Sequence, residues 1–111
     1  MSENLEPSAE KAFEEHLDQV MLTAKGEISQ VLEDDNEGVD HQRFIITLPS
    51  AQTILVLNNL ERAYRLPVEV GQNVEVRGQY RWNKHGGLLH ETHHDARTKH
   101  EDGWIKKLTS K

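Results

Sequence analysis

Four histidines, one glutamate and one aspartate fall within the eleven residues 85–95. Imidazole nitrogens and carboxylate oxygens are the ligands that suit zinc, nickel, manganese and non-haem iron. Side chains alternate along an extended strand, so His90, Thr92 and His94 would share one face and Glu91, His93 and Asp95 the other. A three-ligand site could join His90 and His94 to His41 or His100 arriving from elsewhere. Glu91, His93 and Asp95 could instead converge. The expected metal set is therefore His90, His93, His94 and Asp95, holding a divalent ion such as zinc. Neither combination has a standard metalloenzyme spacing, and no His-Glu-x-x-His lies on a helix. The competing reading is of strand-end histidines bonded to neighbours and to water, and it carries more weight, because clustered titratable groups point to function only statistically. Left without a metal, such a cluster would gain several positive charges as pH falls through about 6.5.

A second constellation is basic and polar. His41 and Arg43 share the face of a strand opposite its apolar residues, Arg77 and Arg81 fall on an outward face of the fourth strand, and Trp82 and Asn83 follow. Arginine forks suit phosphate or carboxylate, so His41, Arg43, Arg81, Trp82 and Asn83 are the expected ligand-binding residues. A solvated polar face is the competing reading. Trp82 and Trp104 read first as packing anchors and only second as stacking platforms. Glycine-rich phosphate cradles and the Gly-x-Ser-x-Gly elbow are both missing. A serine–histidine–aspartate triad has no support in the spacing of Ser29 or Ser50.

The elements that must position these residues read as mainly β. Residues 8–22 carry apolar positions at helical spacing (Ala9, Ala12, Phe13, Leu17, Val20 and Met21), with Ser8 as N-cap and Gly26 as the stop. Five strand patterns follow, at residues 27–33, 41–48, 53–57, 74–82 and 88–92. The second alternates Phe44, Ile46 and Leu48 against His41, Arg43, Ile45 and Thr47. The fourth alternates Val74, Val76, Gly78, Tyr80 and Trp82 against Glu75, Arg77, Gln79 and Arg81. Residues 83–87 form a Gly-rich hairpin loop, residues 58–65 read as one helical turn, and Trp104, Ile105 and Leu108 pin a polar tail. Helix, three strands, a break and a long hairpin predict a five-stranded barrel of the oligonucleotide/oligosaccharide-binding (OB) type with an N-terminal α-helix. The expected division is residues 1–24 for the tail and amphipathic helix, and 25–111 for the barrel and its extension.

Composition sets the outer bounds. The chain has 111 residues, no cysteine and a formal net charge of −6, which suits one small domain with no disulfide or thiolate chemistry. Residues 1–61 carry −10, and residues 62–111 carry +4 with five of the seven histidines. A polyanion could be met by the C-terminal face alone while the whole molecule repels it, which disfavours tight nucleic-acid binding. No apolar run approaches the roughly 18 residues of a membrane span. The start Met1-Ser2-Glu3-Asn4 predicts no secretory leader and hence a cytoplasmic chain.

Several stretches together resemble a family of small bacterial proteins known as domain of unknown function 3465. They are Asp34-Asp35-Asn36, His41-Gln42-Arg43-Phe44, Gln52-Thr53-Ile54-Leu55-Val56, Gly78-Gln79-Tyr80-Arg81-Trp82-Asn83, Gly86-Gly87, His90-Glu91-Thr92-His93-His94-Asp95 and Gly103-Trp104. The resemblance covers residues 25–105. It implies an OB-like barrel, no established activity and, through the export leaders of many members, a periplasmic or envelope location as the alternative. Glu91 stands where the family places Trp, Ala51 where a turn Gly is common, and Leu57-Asn58 where Ala-His is expected. The leading expectation is a non-enzymatic OB-like domain for a small anionic or oligomeric ligand. The alternatives are a metal-dependent phosphodiester hydrolase using residues 90–95, and an interaction module whose N-terminal helix pairs two copies.

Overall fold

The computed structural model describes residues 6–35, 38–94 and 102–108. It contains helix α1 (Ala9–Glu14) and strands β1 (Val20–Asp35), β2 (His41–Thr47), β3 (Thr53–Asn59), β4 (Asn73–Arg81), β5 (Leu88–His90) and β6 (Trp104–Lys107). β1 pairs antiparallel with β2, and β2 with β3. β3 pairs parallel with β5, β5 antiparallel with β4, and β4 returns antiparallel to β1. The strands thus form a ring-like sheet, with β6 added along β4. No helix among the described residues is long and apolar enough to cross a membrane.

The ring follows from alternation. Phe44, Ile46, Ile54, Val56, Val74, Val76, Tyr80 and Leu89 point inward and are fully buried or nearly so. Their neighbours in sequence point outward, as the two-residue strand period requires. Leu22, Ala24 and Ile28 add the inward side of β1.

The helix is much shorter than the expected residues 8–22. Ser8 does cap it, accepting the Lys11 N–H at 3.0 Å, and Ala9 and Ala12 bury against the core. It ends because His16 and Gln19 take left-handed backbone angles, with φ of 56° and 59°. Val20, Met21 and Leu22 then pair with Tyr80, Gln79 and Gly78. Apolar residues at 17, 20, 21 and 22 suit either period, and the β4 ladder decides for a strand. Gly26 does not stop an element. It lies inside β1 where a Cβ would come within 2.7 Å of the Thr47 carbonyl oxygen, at the point where Glu27 pairs with both Thr47 and Asn73.

Other differences are local. Of residues 58–65, Asn58 and Asn59 end β3 and only residues 60–63 turn, with Arg62 and Ala63 donating to the Asn59 carbonyl in one helix-like turn that goes no further. Trp82 lies beyond β4 and is half-buried against Phe13 and His16 instead of pointing inward. Arg77 points outward as expected but is only 8% exposed. The tail is held as a strand, through Trp104 and Ile105 in β6.

Polar residues close one end of the interior. Gln42 and Asn58 face inward at 4% and 1% exposure. The Asn58 amide donates to Gln42 Oε1 (3.0 Å) and to the Tyr64 carbonyl (3.0 Å). Gln42 donates to the Leu66 carbonyl (2.7 Å) and accepts the Leu66 N–H (3.0 Å). The buried amides thereby hold the β3–β4 connector over the end of the ring.

Tyr80 spans the core toward the α1 end, where its hydroxyl donates to the Gly86 carbonyl at 2.8 Å. Burial, with the Asp18 carboxylate second, pushes the phenol from 10.0 up to about 12. A folded-state pKa above the unfolded one means that the neutral phenol favours the fold. The contribution is whole below pH 10 and drains away as pH rises toward 12. Thermal melts should therefore fall across this window in the native chain, and the phenol-specific part of that fall should vanish in Tyr80→Phe. Parallel slopes for the two proteins would contradict the assignment.

Candidate functional site

The outward residues of β2, β3, β5 and the end of β4 form one continuous face. Cross-strand register places Ile45 opposite Leu55, Leu55 opposite Leu88, and Leu88 opposite Arg81. In the next row Arg43 lies opposite Leu57, and His90 opposite Gln79. All of these side chains are half-buried. The result is an aliphatic strip flanked by two guanidinium groups and an imidazole. His41 lies at the end of the face, opposite Asn59.

The polar groups are held in place by neighbours. Arg43 Nε donates to the Glu33 carbonyl at 2.9 Å. Arg81 Nε donates to Asp18 Oδ1 at 3.0 Å, and the Trp82 backbone N–H donates to the same oxygen at 2.9 Å. That backbone bond, with the Arg81 charge in support, holds the Asp18 carboxyl below its ordinary range. His90 Nε2 is 2.8 Å from Gln79 Oε1.

Trp82 and Asn83 serve a different place. The Trp82 indole donates to the Phe13 carbonyl (3.0 Å), and its ring stacks with His16 at 4.1 Å and Phe13 at 6.1 Å between centroids. Asn83 Oδ1 accepts the His85 and Gly87 N–H groups at 2.8 and 3.0 Å, which braces the β4–β5 loop. Trp82 therefore packs against α1 while Asn83 braces the loop that follows, and neither side chain is paired in the rows that carry Arg43 and His90.

The histidine segment is an excursion from a single strand path. The edge of β4 pairs with residues 88–90 and then resumes with Trp104 opposite Arg77. β5 stops at His90, and Glu91 takes a left-handed φ of 55°, so the alternation expected through residue 94 breaks. Gly103 sits in the neck, where a Cβ would lie 2.3 Å from the Glu91 oxygen and 2.5 Å from the Arg77 oxygen. Gly78 faces the same neck, with a Cβ position 2.5 Å from the His90 oxygen. The Gly103 N–H donates to the His93 carbonyl (2.9 Å), and the Thr92 hydroxyl donates to the Leu57 carbonyl of β3 (2.7 Å).

The rings at this neck go to different partners. His93 is buried, with Nε2 at 3.2 Å from Glu91 Oε1 and Nδ1 at 2.9 Å from the His94 carbonyl. His94 is exposed, with Nδ1 at 2.8 Å from Asp102 Oδ2. Among the described residues no three His, Asp or Glu side chains form a group able to hold a metal ion. Asp95 and His100 lie outside the described residues.

Three features escaped the reading of the residues: the Gln42–Asn58 pair, the glycine-lined neck and the aliphatic strip. A signal existed for the first, since carrying the Ile54, Val56 alternation two residues further places Asn58 inside.

Fold and site together define a small, mainly β protein with a ring-like sheet, an N-terminal helix against one end and a half-buried aliphatic and basic outer face. The chain belongs to the family described as protein of unknown function (DUF3465), which matches residues 4–111. No curated protein and no solved structure matches it.

Proposed function

We propose that the protein is an OB-type ligand-binding domain and that the outer face of β2, β3 and β5, with the end of β4, takes a small anionic ligand. The ring order β1-β2-β3-β5-β4 with a parallel β3–β5 pair supports the OB assignment, and barrels of that type bind ligands across their second and third strands. The observation that carries the reading is the row Ile45–Leu55–Leu88–Arg81 lying beside Arg43–Leu57 and His90–Gln79. The aliphatic strip supplies apolar contact. The two guanidinium groups are oriented through their Nε atoms, so their terminal donors can meet an oxyanion. Among the described residues the row carries no Phe, Tyr or Trp ring for stacking bases, and the net charge of −6 opposes a long polyanion. Both points favour a small anion over single-stranded nucleic acid.

Titration of the labelled chain with a mononucleotide, a short oligonucleotide, a sulfated sugar and zinc ions tests this reading. The mononucleotide or the sugar should shift Arg43, Leu57, Arg81 and His90, and Arg43→Ala or Arg81→Ala should weaken binding about tenfold, as loss of a charge-assisted bond predicts. Silence from every anion, or shifts confined to another surface, would overturn it. Stoichiometric zinc uptake lost in His90→Ala or His94→Ala would instead favour the metal-dependent phosphodiester hydrolase.

A further inference from the structure

Arg77 is the one buried arginine among the described residues, yet it points away from the barrel interior. Cross-strand register places it between Thr23 of β1 and Trp104 of β6. The Thr23 hydroxyl lies 3.2 Å from Nη1, and the Trp104 ring centroid 5.8 Å from Cζ. Lys106 Nζ lies 4.6 Å from the same ring, whose indole N–H donates to Glu75 Oε2 at 3.1 Å. Three strands thus build a narrow cradle around one guanidinium fork.

A carboxylate fills that fork. Glu6 accepts from Arg77 through both oxygens, with Nη1 to Oε1 at 2.6 Å and Nη2 to Oε2 as the second bond. Glu6 is 71 positions away in sequence and lies in the segment before α1, outside every strand. A buried guanidinium is costly to leave unpaired, and Glu6 reaches it from outside the sheet, so a change of carboxylate requires no strand to move. The cation is thus fixed in the sheet, while its anion is carried outside it.

We propose that the Thr23–Arg77–Trp104 row is a carboxylate-binding site for which Glu6 is the resident ligand, and that the acidic side chain of a peptide partner takes its place. The fork matches a planar two-oxygen group, and the tryptophan ring walls one side. The short tether gives Glu6 a high effective concentration, so the native chain resists exchange and a partner must also bind through neighbouring residues. The site lies toward β1 and β6, away from the β2–β3–β5 face, and the two assignments stand or fall separately.

The test uses the full chain, with the Trp104 indole N–H and the Arg77 side chain followed by NMR. The probes are a capped pentapeptide of residues 4–8, the same peptide with Gln for Glu, and inorganic phosphate. Glu6→Ala should shift both signals, and the Glu peptide should reverse the shift with saturation. The native chain should need at least tenfold more peptide, and Thr23→Val added to Glu6→Ala should weaken binding several-fold. The Gln peptide should leave both signals unmoved. Equal response to the Gln peptide, equal affinity in the native chain, or no response of folded Glu6→Ala at millimolar peptide would each overturn the proposal. Stronger binding of phosphate than of peptide would overturn the carboxylate assignment. Glu6→Gln, which keeps side-chain shape, carries the same arms should Glu6→Ala fail to fold.

Discussion

Gly86→Ala should lower the melting temperature by about 15 °C or more, equivalent to a loss of about 3–4 kcal/mol in a domain of this size. Gly86 has a φ of 121°, a conformation essentially confined to glycine and costing another residue about 1–3 kcal/mol. A Cβ there would also stand 2.0 Å from the Thr53 carbonyl oxygen, so relieving the clash means moving backbone. The Gly86 carbonyl accepts from Tyr80 Oη at 2.8 Å and from Gln52 Nε2 at 2.9 Å, and Gln52 also donates to the Ala9 carbonyl at 3.2 Å. Displacing this peptide therefore loosens β3, the core phenol and α1 together. Total stability of such domains is about 5–15 kcal/mol, so a large share disappears. Circular dichroism melts measure the effect, and a drop below about 5 °C would show that the loop relaxes without disturbing β3, given about 4–8 °C per kcal/mol.

Asn58→Ala should cost about 2–4 kcal/mol, because it removes a fully buried amide together with its hydrogen bonds to Gln42 and to the Tyr64 carbonyl. Gln42 then keeps the connector through Leu66 alone. Urea midpoints measure the stability loss. Hydrogen exchange at the Leu66 amide should quicken well beyond the global change, since the bond it makes depends on Gln42 being held by Asn58. An unchanged Leu66 exchange rate would mean that the amide pair is packing alone and does not fasten the connector.

Where a strand alternated strictly, its residues were enough. β2 and most of β4 matched expectation because their inward positions are chiefly large aliphatic or aromatic groups that water disfavours, and only one register buries them; Gln42, Gly78 and Trp82 are the exceptions. The inward set Phe44, Ile46, Val74, Val76 and Tyr80 follows from that rule, as does the mainly β character of the chain. The Leu17–Leu22 stretch was ambiguous for an equally plain reason: its apolar residues satisfy a helix and a strand alike, and the choice belongs to Tyr80, Gln79 and Gly78 some sixty positions away. Gly26 misled because its function is close approach of β1 to Thr47, which leaves no local mark.

The candidate site divides in the same way. Arg43 and His41 were placed correctly on the outward face of β2, because strand periodicity alone decides which side a residue takes. The leucine strip beside them needed the strand order, since Leu55 and Leu88 are neighbours only when β3 and β5 lie side by side. The histidines needed more still. Residue types identified His90, His93 and His94 as chemically capable, but their directions are set by the turn at Glu91 and by a neck that Gly78 and Gly103 leave open.

Residue chemistry and period thus determined, unaided, the mainly β class, the inward aliphatic and aromatic residues of β2 and β4, and where charge accumulates along the chain. Tertiary structure alone decided where the helix ends, which outward residues become neighbours and where each imidazole points. The reason is physical: burial preference is carried by each residue and its period, whereas backbone reversals and cross-strand contacts depend on space left by distant parts of the chain.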